Sequence, residues 1–166
     1  AKLVKFKALW DADAPLQDVL PSLYAANSER YAGATIRSVC REMHDFYRSR
    51  DIKGLQRQCF RAESFPELAM LPQDAYRALV GNDVDYLPLE QCKGRIAATL
   101  ALIYPPGIGV VVPGERWDVR AQPMLDYLHA FEESFNRFPG FNYEVQGVFQ
   151  ERVDGRIVFH TYVVRE

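Results

Sequence analysis

Glu115 is the side chain whose surroundings in sequence best suit it for chemistry. It directly follows Pro113-Gly114, on a fixed loop beside the aromatic residues Tyr104 and Trp117. An acid on a backbone shaped by proline and glycine, beside two π-faces, could meet a cationic ligand. The simpler reading is a solvent-exposed loop acid, or one paired with Arg116 or Arg120. An acid–base role shared with a tyrosine would need a concave pocket and a perturbed carboxylate.

The other reactive groups lack the spacing that chemistry requires. His44, His129 and His160 stand apart from one another. Glu42 and His44 are two residues apart and diverge on a helix, so they do not form a metal pair. Cys40, Cys59 and Cys92 are odd in number and widely separated. They suit neither a disulfide framework nor a zinc knuckle, and read as small buried hydrophobes in a reducing compartment. No serine sits in a nucleophile elbow. Gly107-Ile108-Gly109 lacks the lysine and hydroxyl residue that end a P-loop and does not open a helix. The prolines and glycines of this stretch therefore shape backbone. A cis peptide at Tyr104-Pro105 or Pro105-Pro106 is considered only at the general frequency of such bonds.

Composition narrows the class. The chain has 166 residues, 48% hydrophobic and 25% charged, with a formal net charge of −2. That length suits one domain with a sizeable core, and the apolar content argues against disorder. There is no basic tract, so nucleic acid is not expected as a partner. No apolar run approaches the roughly 18–20 residues of a membrane span. The first ten residues, AKLVKFKALW, lack the apolar core of a signal peptide, which assigns the chain to the cytoplasm.

The elements that must position Glu115 can be read in outline. Asp11 to Ala14 with Pro15 looks like a helix entry, and Pro21 ends or kinks the short helix that follows. Residues 27–34 form a polar connection. Thr35 can cap a helix whose apolar face is Ile36, Val39, Cys40, Met43, Phe46 and Tyr47. Further helices are expected over about 51–61, 72–80 and 122–138, the second stopped by Gly81-Asn82 and the third by Pro139-Gly140. Strands are expected at Val84–Leu87, at Ile96–Ile103 as a central strand covered on both faces, and at Val110–Val112. Tyr143–Arg152 and Arg156–Val164 flank Asp154-Gly155, a hairpin signal. The expected fold is α+β: a helical first half, then a mixed β-sheet with a C-terminal hairpin and a covering helix. The chain is taken as one domain, 1–166, with a subdivision near residue 82 as the alternative.

Three blocks resemble the C-terminal domain of the bacterial ornithine/lysine/arginine decarboxylases. They are RYAGATIRSVCREMHDFYRSRDIKGLQRQCFR at 30–61, DVDYLPLEQCKGRIAATLALIYPPGIGVVVPGERW at 83–117 and PGFNYEVQGVF at 139–149. YPPG followed by PGE, behind GRI and an apolar strand, is specific to the family. The first block and GRIAATLALIYPPG are most similar to the ornithine branch. Ile108-Gly109-Val110 departs from that branch, which leaves arginine and lysine open as substrates.

The resemblance implies a larger, pyridoxal phosphate (PLP)-dependent parent, a carbon–carbon lyase that converts ornithine to putrescine, a polyamine, and CO2. Its parents form dimers and higher oligomers, and their C-terminal domain helps to wall the substrate channel and supports assembly. Carried over, the channel candidates are Tyr104, Glu115 and Trp117, an acidic wall that would concentrate a dibasic substrate. A PLP enzyme needs a Schiff-base lysine and an acid for the pyridinium nitrogen. The lysines are Lys2, Lys5, Lys7, Lys53 and Lys93, and none follows a histidine as the family's Schiff-base lysine does. No catalytic residue, cofactor site or metal site is therefore expected in this segment, and the segment is expected to be inactive alone. Its partners would be the PLP-binding domain of the same parent chain, other copies of the parent and a small basic amino acid. A start at Ala1 without Met reads as a cut just after the PLP domain. The alternative is a stand-alone regulatory or oligomerisation module, for which exposed aromatics among Phe135, Phe138, Phe141 and Tyr143 would speak.

Overall fold

The computed structural model describes residues 2–104 and 107–166. Pro105 and Pro106, and with them any turn shaped by those two prolines or by a cis bond, lie outside the described residues. The α+β expectation holds. Helices α1 (Lys2–Asp11), α2 (Leu16–Val19), α3 (Pro21–Ala26), α4 (Ile36–Ser49), α5 (Ile52–Cys59) and α6 (Pro72–Val80) precede strand β1 (Val84–Pro88). Strands β2 (Ala101–Tyr104) and β3 (Ile108–Val111) follow, then helix α7 (Gln122–Arg137) and strands β4 (Glu144–Gln146), β5 (Phe149–Val153) and β6 (Arg156–Val164).

One compact unit comprises the N-terminal segment through Arg50 together with Phe138–Phe141. Pro21 both ends α2 and begins α3, where its missing N–H costs no hydrogen bond. Thr35 and Ser38 form a reciprocal capping box at the start of α4. The apolar face of α4 buries Ile36, Val39 and Phe46, the first two around fully buried Leu16 and Tyr31. Tyr31 satisfies its hydroxyl by donating to Pro139 O at 2.9 Å. Arg30 donates from Nη2 to both carboxylate oxygens of Glu42 at 2.8 Å. Phe138 is fully buried and meets Phe46 edge-on at 5.6 Å. Phe141 meets Tyr31 in the same way.

The other unit comprises Asp51–Arg137 and Asn142–Glu166. The two units meet in sequence after Arg50 and on either side of Phe138–Phe141. The reason is packing: α5 lies against α7, and α6 against β6. The β-structure is two three-stranded antiparallel sheets, β1-β6-β5 and β3-β2-β4, where the sequence suggested one mixed sheet. Leu128, Phe131 and Phe135 of α7 are buried in the main core with Phe159 and Val163 of β6. Asn136 acts as a surrogate strand edge: its Nδ2 donates to Ile157 O and its Oδ1 accepts from Ile157 N, both at 2.7 Å.

The central strand expected over 96–103 is a correction. Only Ala101–Tyr104 is strand, and it is central in its sheet. Ile96 bridges Arg116 while Ala97 bridges Val163, so neighbouring residues answer to different partners and no regular ladder forms. The stretch hands the chain from one sheet to the other, and its one polar side chain, Thr99, is hydrogen-bonded to Gly147 O and Thr161 Oγ1. The strand expected over 143–152 is likewise broken at Gly147 into β4 and β5. Asp154 and Gly155, at φ 49° and 79°, make the predicted hairpin turn between β5 and β6. After α6 it is Asn82, at φ 58°, that takes the left-handed conformation, while Gly81 stays helical.

Candidate functional site

The Pro113-Gly114-Glu115 loop is where three distant segments are tied together. Gly114 N donates to Ala97 O at 2.8 Å, and Gly114 O accepts from Ala69 N at 2.9 Å and Met70 N at 3.1 Å. Ala97 N donates to Glu115 O at 2.8 Å, Arg116 N to Glu67 O at 2.9 Å, and Trp117 N to Arg95 O at 2.9 Å. Asp118 extends the tie, its Oδ2 accepting from Glu67 N at 3.2 Å. Proline and glycine signalled a shaped backbone here; the partners at 67–70 and 94–97 carried no signal in the sequence.

Glu115 turns back on its own loop. Its Oε2 accepts from Val112 N at 2.8 Å. The two arginines proposed for it are engaged elsewhere, Arg116 with Glu67 and Glu166 and Arg120 with Asp118. Burial pushes its carboxyl above the ordinary range, the Val112 N–H offsets part of that, and Asp118 adds to the rise. For a carboxyl raised on folding, the stabilising contribution is complete below the unfolded value of 4.5 and is lost as pH rises through the folded value. Glu115→Gln keeps the acceptor and removes the buried charge. It is expected to match or exceed wild-type stability at pH 7 and to flatten the decline just above pH 4.5. Glu115→Ala leaves the Val112 N–H unpaired and is expected to cost about 1–3 kcal/mol. Urea midpoints for both variants across the acid-to-neutral range separate these outcomes; equal losses for both would mean that the acceptor is not what matters.

The other two candidates are placed differently. Tyr104 ends β2 opposite Glu144 and is 52% exposed. Trp117 is fully buried in the main core, so it offers no surface of its own. Its Nε1 has no hydrogen-bond partner among the described residues. No hydrogen bond joins Tyr104 to Glu115 or Trp117 among the described residues. Beside β2 lies an open, mainly apolar groove of about 250 Å³, lined by Arg57 of α5, Phe60 just after that helix, Ile103, Ile108, Val110 and Tyr127. Sequence reading missed it, because strand and helix faces 50 residues apart compose it. A polar pocket of about 320 Å³ between α7 and the β5–β6 hairpin holds His129, Glu132, Asp154 and Arg156. The Glu132 carboxylate beside His129 raises its pKa.

Burial pushes the Cys59 thiol up to about 11 and the Cys92 thiol up to about 12, which keeps both protonated and unreactive at neutral pH. All five lysines are exposed, and Lys93 Nζ donates to Gln122 Oε1 at 3.1 Å. A Schiff-base lysine is held desolvated against its cofactor, and none of these surface amines fits a PLP group. Among the described residues, no three His, Cys, Asp or Glu side chains converge as metal ligands would, and no helix is long and apolar enough to cross a membrane.

Comparison with known proteins places these features in a family. A model described as Orn/Lys/Arg decarboxylase, C-terminal domain, matches residues 53–165. The chain is 47% identical over 165 residues to the inducible ornithine decarboxylase of Escherichia coli (strain K12), covering 99% of this chain and 22% of that protein. It is 44% identical over 167 residues to the ornithine decarboxylase of Haemophilus influenzae, covering 100% of this chain and 23% of that protein. The solved structure of lysine decarboxylase A from Pseudomonas aeruginosa superposes with a TM-score of 0.88 at 34% identity, over 98% of this chain and 22% of that one. The chain thus spans less than a quarter of the length of the curated relatives it matches.

Proposed function

Because the chain belongs to the family of Orn/Lys/Arg decarboxylase C-terminal domains, we propose that it is the terminal domain of a larger, PLP-dependent, cytoplasmic enzyme that converts ornithine to putrescine and CO2. The parent supplies the lysine that holds PLP, and PLP supplies the electron sink for decarboxylation. This segment contributes no reacting group. It walls the substrate channel and supports assembly of a homo-oligomer. The observation that favours ornithine is an identity of 42–47% to ornithine decarboxylases, against 40% to the lysine decarboxylase LdcA of Pseudomonas aeruginosa and 30% to the lysine and arginine decarboxylases of Escherichia coli.

In this reading exposed Tyr104 faces the channel, Glu115 supplies negative charge to the same wall, and Trp117 backs the wall from within the core. A dibasic substrate is drawn toward the carboxylate, and the attraction weakens as salt screens it. The test uses the full-length enzyme. Wild type should decarboxylate ornithine with a higher kcat/KM than lysine or arginine. Since Glu115→Gln preserves the loop's hydrogen bond, its effect on activity reports the charge. It should lower kcat/KM on the order of 3-fold at low salt and flatten the salt dependence. An unchanged kcat/KM with an unchanged salt dependence would remove Glu115 from the channel. A wild-type preference for lysine or arginine would overturn the substrate.

A further inference from the structure

The contacts within this chain do not account for α1. Its ten residues, KLVKFKALWD, include no buried side chain. Leu3 is 84% exposed, Val4 74%, Phe6 47% and Trp10 37%. Helices shorter than about 12–15 residues are marginal in water unless tertiary packing holds them. Among the described residues, the contacts that hold α1 lie at its C-terminal end, where Leu9 is half-buried. Arg37 donates from Nε to Trp10 O and from Nη2 to Asp11 O, both at 2.7 Å, and its guanidinium lies 5.8 Å from the Trp10 ring centroid. Those bonds anchor the last carbonyls and leave the apolar face open. Leu3, Phe6 and Trp10 recur three and four residues apart and share that face, with Lys2, Lys5 and Lys7 around it.

We propose that α1 is a docking helix whose Leu3–Phe6–Trp10 face seats on the domain that precedes it in the parent enzyme, on an apolar surface with an acidic rim. The inference rests on reading the chain as the C-terminal domain of a longer decarboxylase. The matched family is a C-terminal domain and the chain covers only 22% of the ornithine decarboxylase it resembles. The greater part of such a parent therefore lies outside this segment, on the N-terminal side of a C-terminal domain. A directly tethered surface has an effective concentration in the millimolar range, well above that of a separate partner. Lys7 is ion-paired with Asp11 within the helix, so Lys2 and Lys5 supply the charge that an acidic rim would complement.

Hydrogen exchange on the full-length enzyme tests this. Amides of residues 2–11 should exchange on the order of 100-fold more slowly than in an unstructured peptide. Leu3→Ser combined with Phe6→Ser should abolish that protection, while α4 keeps its own and so reports an intact fold. Exchange of 2–11 at unstructured rates in wild type would overturn the proposal. So would protection lost on dilution, which would assign the occupant to a second copy, or protection that survives the double substitution. Whether wild type releases CO2 from a basic amino acid is read separately, so the failure of the decarboxylase reading is distinguishable from failure of the docking.

Discussion

Replacing Gly114 with alanine is expected to destabilise the fold by roughly 3–5 kcal/mol. Two costs combine. Gly114 holds φ +91°, and a Cβ built there would sit 2.3 Å from Met70 O. That oxygen belongs to backbone whose own amide donates to Gly114 O, so it cannot retreat without breaking the tie between residues 67–70 and 112–117. Total stabilities of single domains are about 5–15 kcal/mol, so the loss would be a large fraction of the whole. Urea unfolding of wild type and Gly114→Ala measures it. A shift below about 1 kcal/mol would mean that the three-segment tie yields easily. Gly33→Ala is the internal control. Its φ is +70° but a Cβ there meets nothing within 4 Å, so it isolates the cost of backbone strain from that of collision.

Trp117 should divide its contribution between bulk and polarity. Trp117→Ala empties one of the largest fully buried side-chain positions and is expected to cost about 3–5 kcal/mol. Trp117→Phe should cost far less. It leaves a smaller void and removes an indole N–H that has no partner among the described residues, and an unpaired buried donor costs about 1–3 kcal/mol. Equal losses for Phe and Ala would show that the indole N–H is satisfied in solution. The chain's other tryptophan, Trp10, is 37% exposed, so acrylamide should quench Trp10 and spare Trp117 in the isolated segment. If α1 docks as proposed, quenching of Trp10 should fall in the full-length enzyme.

Several elements were legible because their causes are local. The Thr35 cap, the apolar stripe of α4, the start of α6 at Pro72 and the Asp154-Gly155 turn each depend on a few consecutive residues. They appear where their residue types require. The family was legible for a different reason: in PGE, Gly114 holds unusual backbone at φ +91°, and unusual backbone restricts sequence. The aromatics offered for an oligomer surface mostly proved to be core, with Phe135 and Phe138 fully buried and only Tyr143, at 38%, exposed.

The remainder depended on partners far apart in the chain. Asp85 takes Arg95 at 2.6 Å and Arg165 at 3.1 Å, and Arg116 takes Glu166 at 3.1 Å. This network pins the C-terminal residues, and no local spacing announces it. The division of 96–103 between two neighbours was invisible because a continuous apolar run is compatible with a strand or a crossing.

What the sequence by itself determined is the α+β class, the capped helices, the hairpin and the family, all consequences of residue type at short range. The tertiary structure alone decided that Glu115 bonds its own loop, that Trp117 is core, that the units divide after Arg50 and that α1 has an open face. Each of those depends on which surfaces meet, and a linear pattern records what a residue prefers without recording what it finds.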